Sequence, residues 1–594
     1  MDLNNQTWEQ SIVEVELNAK YMGGRGLGVY YLAEHLQDRQ RSDIKNPPLI
    51  FFTGPFAAAK IPAGDRLHAV SISPLTGVLA ESDVGGRAGS SLISCGWGGI
   101  LLKGAAEDWL WLEISSSGVN FHSAGDLLSR DTFELDEYFG HKFSEYSLLS
   151  IGRAGENKVK FASIMVDGRD ARALGRAGLG AVMGDKKIKA IVIKRHRENL
   201  TRDLAKNINE SKKQAIYSMR ENMQAMEEYG TASGVAYALE TGNFPYKNWQ
   251  VRPESSDDFN ILGENLAEEF SVNQYRCGFC PVGCGRELEK NEDSIAGPEY
   301  ETIGLLGSSL LIKEISQVVE LNEFCDREGL DTISTGGTIG LVLELNEKGI
   351  LDHKYLEWGD GAKIKKLLEM IVKREGLGDI LAEGTKGIAE EFNLSDKFDV
   401  NCKGLELPAH DPRNYASLYL GYATSNRGAC HLQAFSHALE SSATIPEIGY
   451  SEIMDKSIIT GKEDSVIKMQ NLMAIFDSLK LCKFMIYSEF SMKTLAQWWS
   501  VLTEINADLE DLLFNGARVF QLERLLNNFL GVTDTDDDLP ERFFAEFGEG
   551  GLSKEKFYEA RKAYYAKRGW DEQGVVKNST AIRYDLSRFH NILE

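Results

Sequence analysis

Three cysteines fall within eight consecutive positions, Cys277-Gly-Phe-Cys280-Pro-Val-Gly-Cys284. Spacings of two and three residues let thiolates converge on a cubane iron–sulfur cluster, and glycines let the backbone wrap closely around the inorganic core. Zinc is the competing reading, but a zinc knuckle brings a second Cys or His pair within about 20 residues. After Cys284 neither residue type recurs until Cys325. The run is therefore read as three ligands of a [4Fe–4S] cluster whose fourth ligand lies elsewhere.

Two aspartate-led segments follow, Asp326-Arg-Glu-Gly329-Leu330-Asp331 and Asp477-Ser-Leu-Lys480-Leu481-Cys482. Each ends an apolar-periodic stretch, so each presents a carboxylate and a backbone turn at a helix end. Such groups accept hydrogen bonds from the amino and ring N–H groups of a heterocycle, although a single aspartate there also serves as a cap. Cys482 suits the missing cluster ligand. Upstream lie four glycine loops: Gly23-Gly-Arg-Gly26, Gly85-Gly86-Arg87-Ala-Gly89, Gly96-Trp-Gly-Gly99 and Gly175-Arg176-Ala-Gly178-Leu-Gly180. Loops of this kind aim successive amide N–H groups at anionic oxygens, and their arginines add charge-assisted bonds.

The elements that position these residues change character along the chain. Residues 12–17, 109–114, 161–166 and 188–193 are strand-like by β-branched or aromatic content. The charged run from Lys194 to Asp203 marks a boundary. Beyond it, residues 204–229, 314–330, 361–374 and 464–484 carry helical apolar spacing, and Ser553–Trp570 reads as a helix stopped by a charged turn. The acidic run Asp534–Asp538 is read as a solvated loop, because a calcium loop needs more regularly spaced oxygens.

At 594 residues the chain is long enough for two to four domains. A net charge of −24 disfavours nucleic-acid or anionic-membrane binding, which needs basic surface. The start lacks the basic end and apolar run of a signal peptide, and no stretch reaches the roughly 18 apolar residues of a membrane span. Eight irregularly placed cysteines argue against a disulfide framework and for the cytoplasm.

Over nearly its whole length the sequence resembles the aldehyde ferredoxin oxidoreductase family of tungsten enzymes. The resemblance runs through Tyr21-Met-Gly-Gly-Arg-Gly-Leu-Gly28, Ser73-Pro-Leu-Thr-Gly77, Gly175-Arg-Ala-Gly-Leu-Gly-Ala-Val-Met-Gly184 and the cysteine loop. It continues through Gly297-Pro-Glu-Tyr-Glu-Thr302, both aspartate turns, Leu407-Pro-Ala-His-Asp-Pro-Arg413, Thr424-Ser-Asn-Arg-Gly428 and Arg568-Gly-Trp-Asp571. It implies an α+β fold: a β-rich, saddle-like domain over residues 1–200 that cradles the pterins, then two largely helical domains over 201–400 and 401–594. A tungsten–bispyranopterin between them would be joined by a magnesium ion bridging the pterin phosphates.

What the family implies can be carried over residue by residue. Cluster ligands fall on Cys277, Cys280, Cys284 and Cys482, and the pterin-contacting turns on Asp326–Asp331 and Asp477–Cys482. Arg66 matches the arginine near cluster and pterin, Asp83 an asparagine serving the magnesium site, and Ala173 a position offering that ion a backbone carbonyl. Glu301 matches the active-site glutamate, whose burial would bring its pKa towards neutrality. His431 and His437 are the two candidates for its companion, with His437 favoured, while His410 is assigned a structural or channel-lining place. Arg413 and Arg427 are read as network members, and Cys95, Cys325, Cys402 and Cys430 as buried small residues.

Three departures carry consequences. Lys480 stands where the pattern has glycine, so the backbone there must avoid positive φ or accept strain. The chain joins the family pattern inside its first strand, which implies either an absent hairpin arm or a misassigned start. Glu320-Leu-Asn-Glu323 replaces a Glu-x-x-His pair that binds an interface iron in some homodimers, which points to a hetero-oligomer rather than that homodimer. The expected function is oxidation of a small aldehyde to a carboxylic acid, with electrons leaving through the cluster to ferredoxin or an iron–sulfur subunit. Two rivals are the catalytic subunit of an aromatic acyl-CoA ring reductase of the same superfamily and a non-catalytic electron-relay subunit.

Overall fold

The computed structural model describes residues 1–37, 41, 44, 46–196, 207–252, 259–290, 293–395, 397, 398, 400–546 and 551–592. Two sheets occupy the first third of the chain. Strands β1 (Leu49–Phe52), β2 (Leu67–Ile72), β3 (Leu79–Val84) and β4 (Gly99–Leu102) form an antiparallel sheet in the order β3-β2-β1-β4. Strands β5 (Leu110–Ser115), β6 (Gly118–Ser123), β7 (Tyr146–Ser150), β8 (Ile164–Val166), β9 (Arg172–Leu174) and β10 (Ile188–Lys194) form the other, ordered β6-β5-β10-β7-β8-β9.

The β-branched run Ile188-Lys-Ala-Ile-Val-Ile193 explains why β10 is central. It pairs in parallel with β5 and antiparallel with β7, and a strand covered on both faces needs apolar side chains on both. Lys189 is the exception: its buried ammonium donates to the carbonyls of Arg130 and Ile151 and pairs with Glu156. β2 and β3 pair from Leu67–Val84 to Ile72–Leu79, which sets His68 opposite Asp83.

Beyond residue 207 helices dominate, with a three-stranded sheet of β11 (Ser271–Tyr275), β12 (Gly285–Lys290) and β13 (Asp293–Ala296) flanking the cysteine loop. The expected helices lie at Asn209–Asn222 with Gln224–Tyr229, Ile315–Glu328, Gly361–Lys373, Lys462–Leu479 and Lys554–Arg568. Residues 197–206, which include most of the charged boundary run, lie outside the described residues. None of the helices described is long and apolar enough to cross a membrane.

Two expectations are corrected. Residues 12–17 form no strand: Ile12 is 94% exposed, and Val15 opens a helix to Tyr21. Gly23–Gly26 is not an anion loop but the start of the helix Gly24–Leu36. Arg25 is buried there against Glu81, Asp477 and Glu523, so its charge is already met by protein carboxylates. That helix packs Leu27, Val29 and Tyr30 into the same core as Leu522, Leu525 and Phe589. The beginning and end of the chain thus close around one apolar interior.

Candidate active site

The cysteine loop follows β11 and precedes β12, and its tight turns use Phe279 and Gly283 at φ 60° and 70°. A side chain at Gly278 would stand 2.0 Å from Asp65 Oδ2, so only glycine fits. Ala63 ties the loop to its distant partner. The Ala63 N–H donates to the Phe279 carbonyl at 3.4 Å, and the Ala63 carbonyl accepts from the Cys482 N–H at 3.0 Å. A Cβ on Gly85 would lie 2.6 Å from Cys277 Sγ, so the β3 end must stay bare to admit that thiol.

All four thiols line a cavity of about 360 Å³. Among the described residues, no three cysteine sulfurs lie within 4.8 Å of one another. A tetrahedral zinc with Zn–S bonds near 2.3 Å would draw its sulfurs to about 3.8 Å. The thiols therefore do not form the compact set that a tetrahedral zinc would gather. Burial pushes the Cys277, Cys280, Cys284 and Cys482 thiols up, a shift that coordination to iron would reverse.

The two aspartate turns are built alike. The helix Ile315–Glu328 ends at Gly329 (φ 72°), and the Leu330 N–H returns to the Cys325 carbonyl at 2.9 Å. The helix Lys462–Leu479 ends at Lys480 (φ 69°), and the Leu481 N–H returns to the Phe476 carbonyl at 2.8 Å. Each is a left-handed C-terminal cap, which presents Leu330 and Leu481 to the cavity. Lys480 therefore accepts the positive φ that glycine would take without cost.

Around this cavity the lining comes from both halves of the chain. Arg66, Asp83, Gly85, Ala173 and Arg176 come from the strand-rich half, and Asp326, Leu330, Asp331, Asp477, Leu481 and Glu301 from the helical half. Gly86, Arg87, Gly178, Gly329 and Lys480 are not part of that lining. Gly178, at φ 76°, packs against the Lys160 carbonyl, where a Cβ would come to 2.0 Å.

The carboxylates have distinct environments. Asp331 caps the helix Thr332–Glu347 through the Ile333 and Ser334 N–H groups, and Arg176 Nε lies 3.2 Å away. Asp326 accepts from Asn322 Nδ2 at 2.9 Å, and burial pushes its carboxyl well up. Burial would raise Asp477 as well, but Lys483 and Arg25 hold it below the usual range. Asp331 thus performs the capping role, whereas Asp326 and Asp477 lie inside their helices and cap nothing; all three carboxylates line the cavity.

Glu301 sits on the short helical turn Tyr300–Thr302, which runs directly into a π-helical turn, Ile303–Gly307. Such wide turns recur at functional sites because they re-aim one side chain. Glu301 Oε2 accepts the Ala409 N–H at 2.7 Å, whereas Oε1 has no hydrogen bond. Burial raises Glu301 to about 7, opposed by the Ala409 hydrogen bond and Arg176 and aided by Asp331 and Glu299.

Two imidazoles approach this carboxylate, and a third packs against them. His431 Nε2 lies 3.6 Å and His410 Nε2 3.8 Å from Glu301 Oε1. The His437 ring lies 4.7 Å from that of His410 and is tilted by 34°, and burial lowers it to about 4. Burial also pushes His410 and His431 well down, so all three rings are neutral near pH 7. The structure brings His410, first assigned a channel-lining place, as close to Glu301 as His431. The sequence signal was present in its position two residues before Pro412-Arg413, but nothing in it pointed to Glu301.

The arrangement fits the implied cofactors. Four thiols, an unpaired Glu301 Oε1 and an unpaired Arg427 Nε face or border one cavity between the two halves. Arg413 is held by both oxygens of Asp411, and Arg427 donates to the Glu81 carbonyl and Cys430 Sγ, which makes both network members.

Comparison with known proteins agrees with this geometry. Residues 1–195 match the family model described as aldehyde ferredoxin oxidoreductase, N-terminal domain, and residues 207–586 the model for domains 2 and 3. The chain is 34% identical to a tungsten-containing aldehyde ferredoxin oxidoreductase of Pyrococcus horikoshii, over 99% of this chain and 98% of that one. The counterpart in Pyrococcus abyssi gives the same identity and coverage. The fold also matches the active-site complex BamBC of benzoyl coenzyme A reductase with 1,5-dienoyl-CoA. That likeness has a TM-score of 0.85 at 22% identity, over 99% of this chain and 96% of that chain.

Proposed function

The chain belongs to the aldehyde ferredoxin oxidoreductase family and is an oxidoreductase of that type, and from that premise we propose that it oxidises a small aldehyde to the carboxylic acid. The proposal assigns Cys277, Cys280, Cys284 and Cys482 to one [4Fe–4S] cluster and the turns Asp326–Asp331 and Asp477–Cys482 to two pyranopterins. It assigns Asp83 and the Ala173 carbonyl to a magnesium ion at the pterin phosphates, since a hard cation prefers such oxygens. When bound, the tungsten–bispyranopterin supplies a two-electron acceptor for the aldehyde-to-acid conversion.

The chain's own part is binding and proton handling. Glu301 Oε1 takes one of the two protons released with the two electrons as the hydrated carbonyl becomes an acid, the other passing to solvent, because its raised pKa lets it exchange protons near neutrality. Ala409 holds the other oxygen, so the unbonded one is the one that works. Neutral His431 and His437 exclude water and can donate to a substrate oxygen. No nucleophilic cysteine is needed, and Cys430 is turned to Arg427.

Electrons leave through the cluster to ferredoxin or an iron–sulfur subunit in the cytoplasm. Glu323 is occupied by Lys290 and Arg327, at 2.9 Å each, which supports a hetero-oligomer over an iron-bridged homodimer. The observation that carries the proposal is the meeting of four thiols, both helix-end turns and Glu301 in one cavity. The test is anaerobic purification from the producing cell with metal and pterin analysis, native mass measurement, and viologen reduction by a panel of aldehydes. About four cluster irons, one tungsten and two pterins per chain with aldehyde-dependent reduction are expected. Turnover of an aryl-CoA alone, or a cluster without tungsten, would replace the proposal with a ring reductase or an electron relay.

A further inference from the structure

His410 is gripped from several sides. Its ring stacks on Tyr300 at 4.9 Å, its carbonyl accepts the Tyr422 hydroxyl at 2.7 Å, and its Nδ1 lies 3.2 Å from Asn243 Nδ2. The buried Asn243 amide has only one sensible orientation, because the Asp411 N–H donates to its Oδ1 at 3.1 Å. That leaves the NH2 group, a donor only, facing His410 Nδ1. Nδ1 must then be the acceptor, and the neutral ring carries its proton on Nε2, the nitrogen that stands 3.8 Å from Glu301 Oε1.

We propose that Asn243 is a positioning residue for the proton-transfer step: by fixing the His410 tautomer it keeps an N–H donor, and not a lone pair, turned towards Glu301 Oε1. The inference rests on the proposed role of Glu301 and extends it to two residues outside the cavity lining. A protonated His410 would set Nδ1–H against the Asn243 NH2, so the same contact also disfavours the charged ring. The trio of Glu301, His410 and His431 has the close spacing of a divalent-cation site. A metal would need the Nε2 lone pair, which this tautomer withholds.

The donor acts where the carboxylate has nothing else. Oε1 lacks a hydrogen bond, and the gaps of 3.6 and 3.8 Å to His431 and His410 exceed bonding distance. A substrate oxygen or a small rotation of the carboxylate closes the His410 gap, and the N–H then favours the ionised form of Glu301. The other charged or titratable groups facing the pair are Arg176, Asp331 and Glu299 towards Glu301, and His431, His437, Tyr300 and Tyr422 around the rings.

Neutron diffraction from holoenzyme crystals exchanged into D2O reads the tautomer directly. Deuterium on His410 Nε2 and none on Nδ1 is expected, and deuterium on Nδ1 would overturn the inference whatever the substrate proves to be. Asn243→Asp keeps the acceptor for the Asp411 N–H but draws the His410 proton to Nδ1. It should lower kcat about 10-fold or more and move the acid limb of the pH profile up by about one unit. An unchanged limb with wild-type metal content would reject the role. His410→Gln, whose amide N–H can occupy the Nε2 position, should retain about 10-fold more kcat than His410→Ala, and equal losses would again reject it. If the wild type oxidises no aldehyde, the proposed function fails while the neutron map still decides the tautomer.

Discussion

The Lys480 ammonium makes a buried ion pair with Asp83, joining the end of the helix Lys462–Leu479 to strand β3. Room for the lysine stem comes from two glycines. A Cβ on Gly24 would stand 2.5 Å from Lys480 Cδ, and one on Gly54 would stand 2.9 Å from Cγ. Asp83 Oδ1 also lies 3.1 Å from His68 Nδ1, so strain at Lys480 is offset by a cross-domain contact.

Lys480→Gly should therefore destabilise the protein although glycine suits φ 69° better. Relief of left-handed strain is worth about 1 kcal/mol, whereas removing the Lys480 partner costs about 3 kcal/mol and leaves Asp83 only its His68 contact. A lower apparent Tm is expected, and Lys480→Gly combined with Asp83→Asn should recover most of the loss. Equal stability of Lys480→Gly and wild type would show that the ion pair contributes nothing.

Glu301 makes activity depend on pH. Its carboxylate form accumulates as pH rises through about 7, so aldehyde oxidation should rise over the same interval. Glu301→Gln should keep metal content, lose that limb and lower turnover by roughly 100-fold. The unfolded value is about 4.3, so the group favours folding below that pH and loses its contribution as pH rises through about 7. A wild-type limb in Glu301→Gln would assign the titration elsewhere.

Cys482→Ser removes the ligand that Ala63 holds in place. Iron per chain should fall below four and the reduced-cluster EPR signal should weaken, while circular dichroism stays near wild type. Full iron occupancy would mean that Cys482 is not the fourth ligand.

Asp331→Asn separates capping from cofactor binding. Asparagine keeps one oxygen for the cap but loses the charge opposite buried Arg176, so stability should fall by about 1–3 kcal/mol. Pterin content of anaerobically purified protein should fall, because Arg176 loses its carboxylate partner and the cavity its acceptor. Full pterin content with that loss of stability would leave Asp331 a structural residue alone.

Much of this was legible in the sequence because it is local. The helix read over 314–330 runs Ile315–Glu328, and that read over 464–484 runs Lys462–Leu479, since apolar spacing reports one buried face. The stretch 12–17 misled because its short Val–Glu alternation mimics a strand while Ile12 and Val15 face outward. Gly23–Gly26 misled because glycine there makes room for Lys480 and the Ser478 carbonyl, neighbours more than 450 positions away. The Asn243–His410 pairing left no trace, since 167 residues separate partners that only the tertiary fold unites.

The Ala63 clasp sets a timetable for maturation. During synthesis Cys284 emerges roughly 200 residues before Cys482, an interval of about 10–40 s at 5–20 residues per second. Throughout it the nascent chain holds three thiols and the carbonyl waiting for the fourth, but no complete metal nest. On the proposed ligand set, insertion of the inorganic core would be a late event, gated by translation of the C-terminal third, and a chain truncated before Cys482 would lack the fourth thiol of that set.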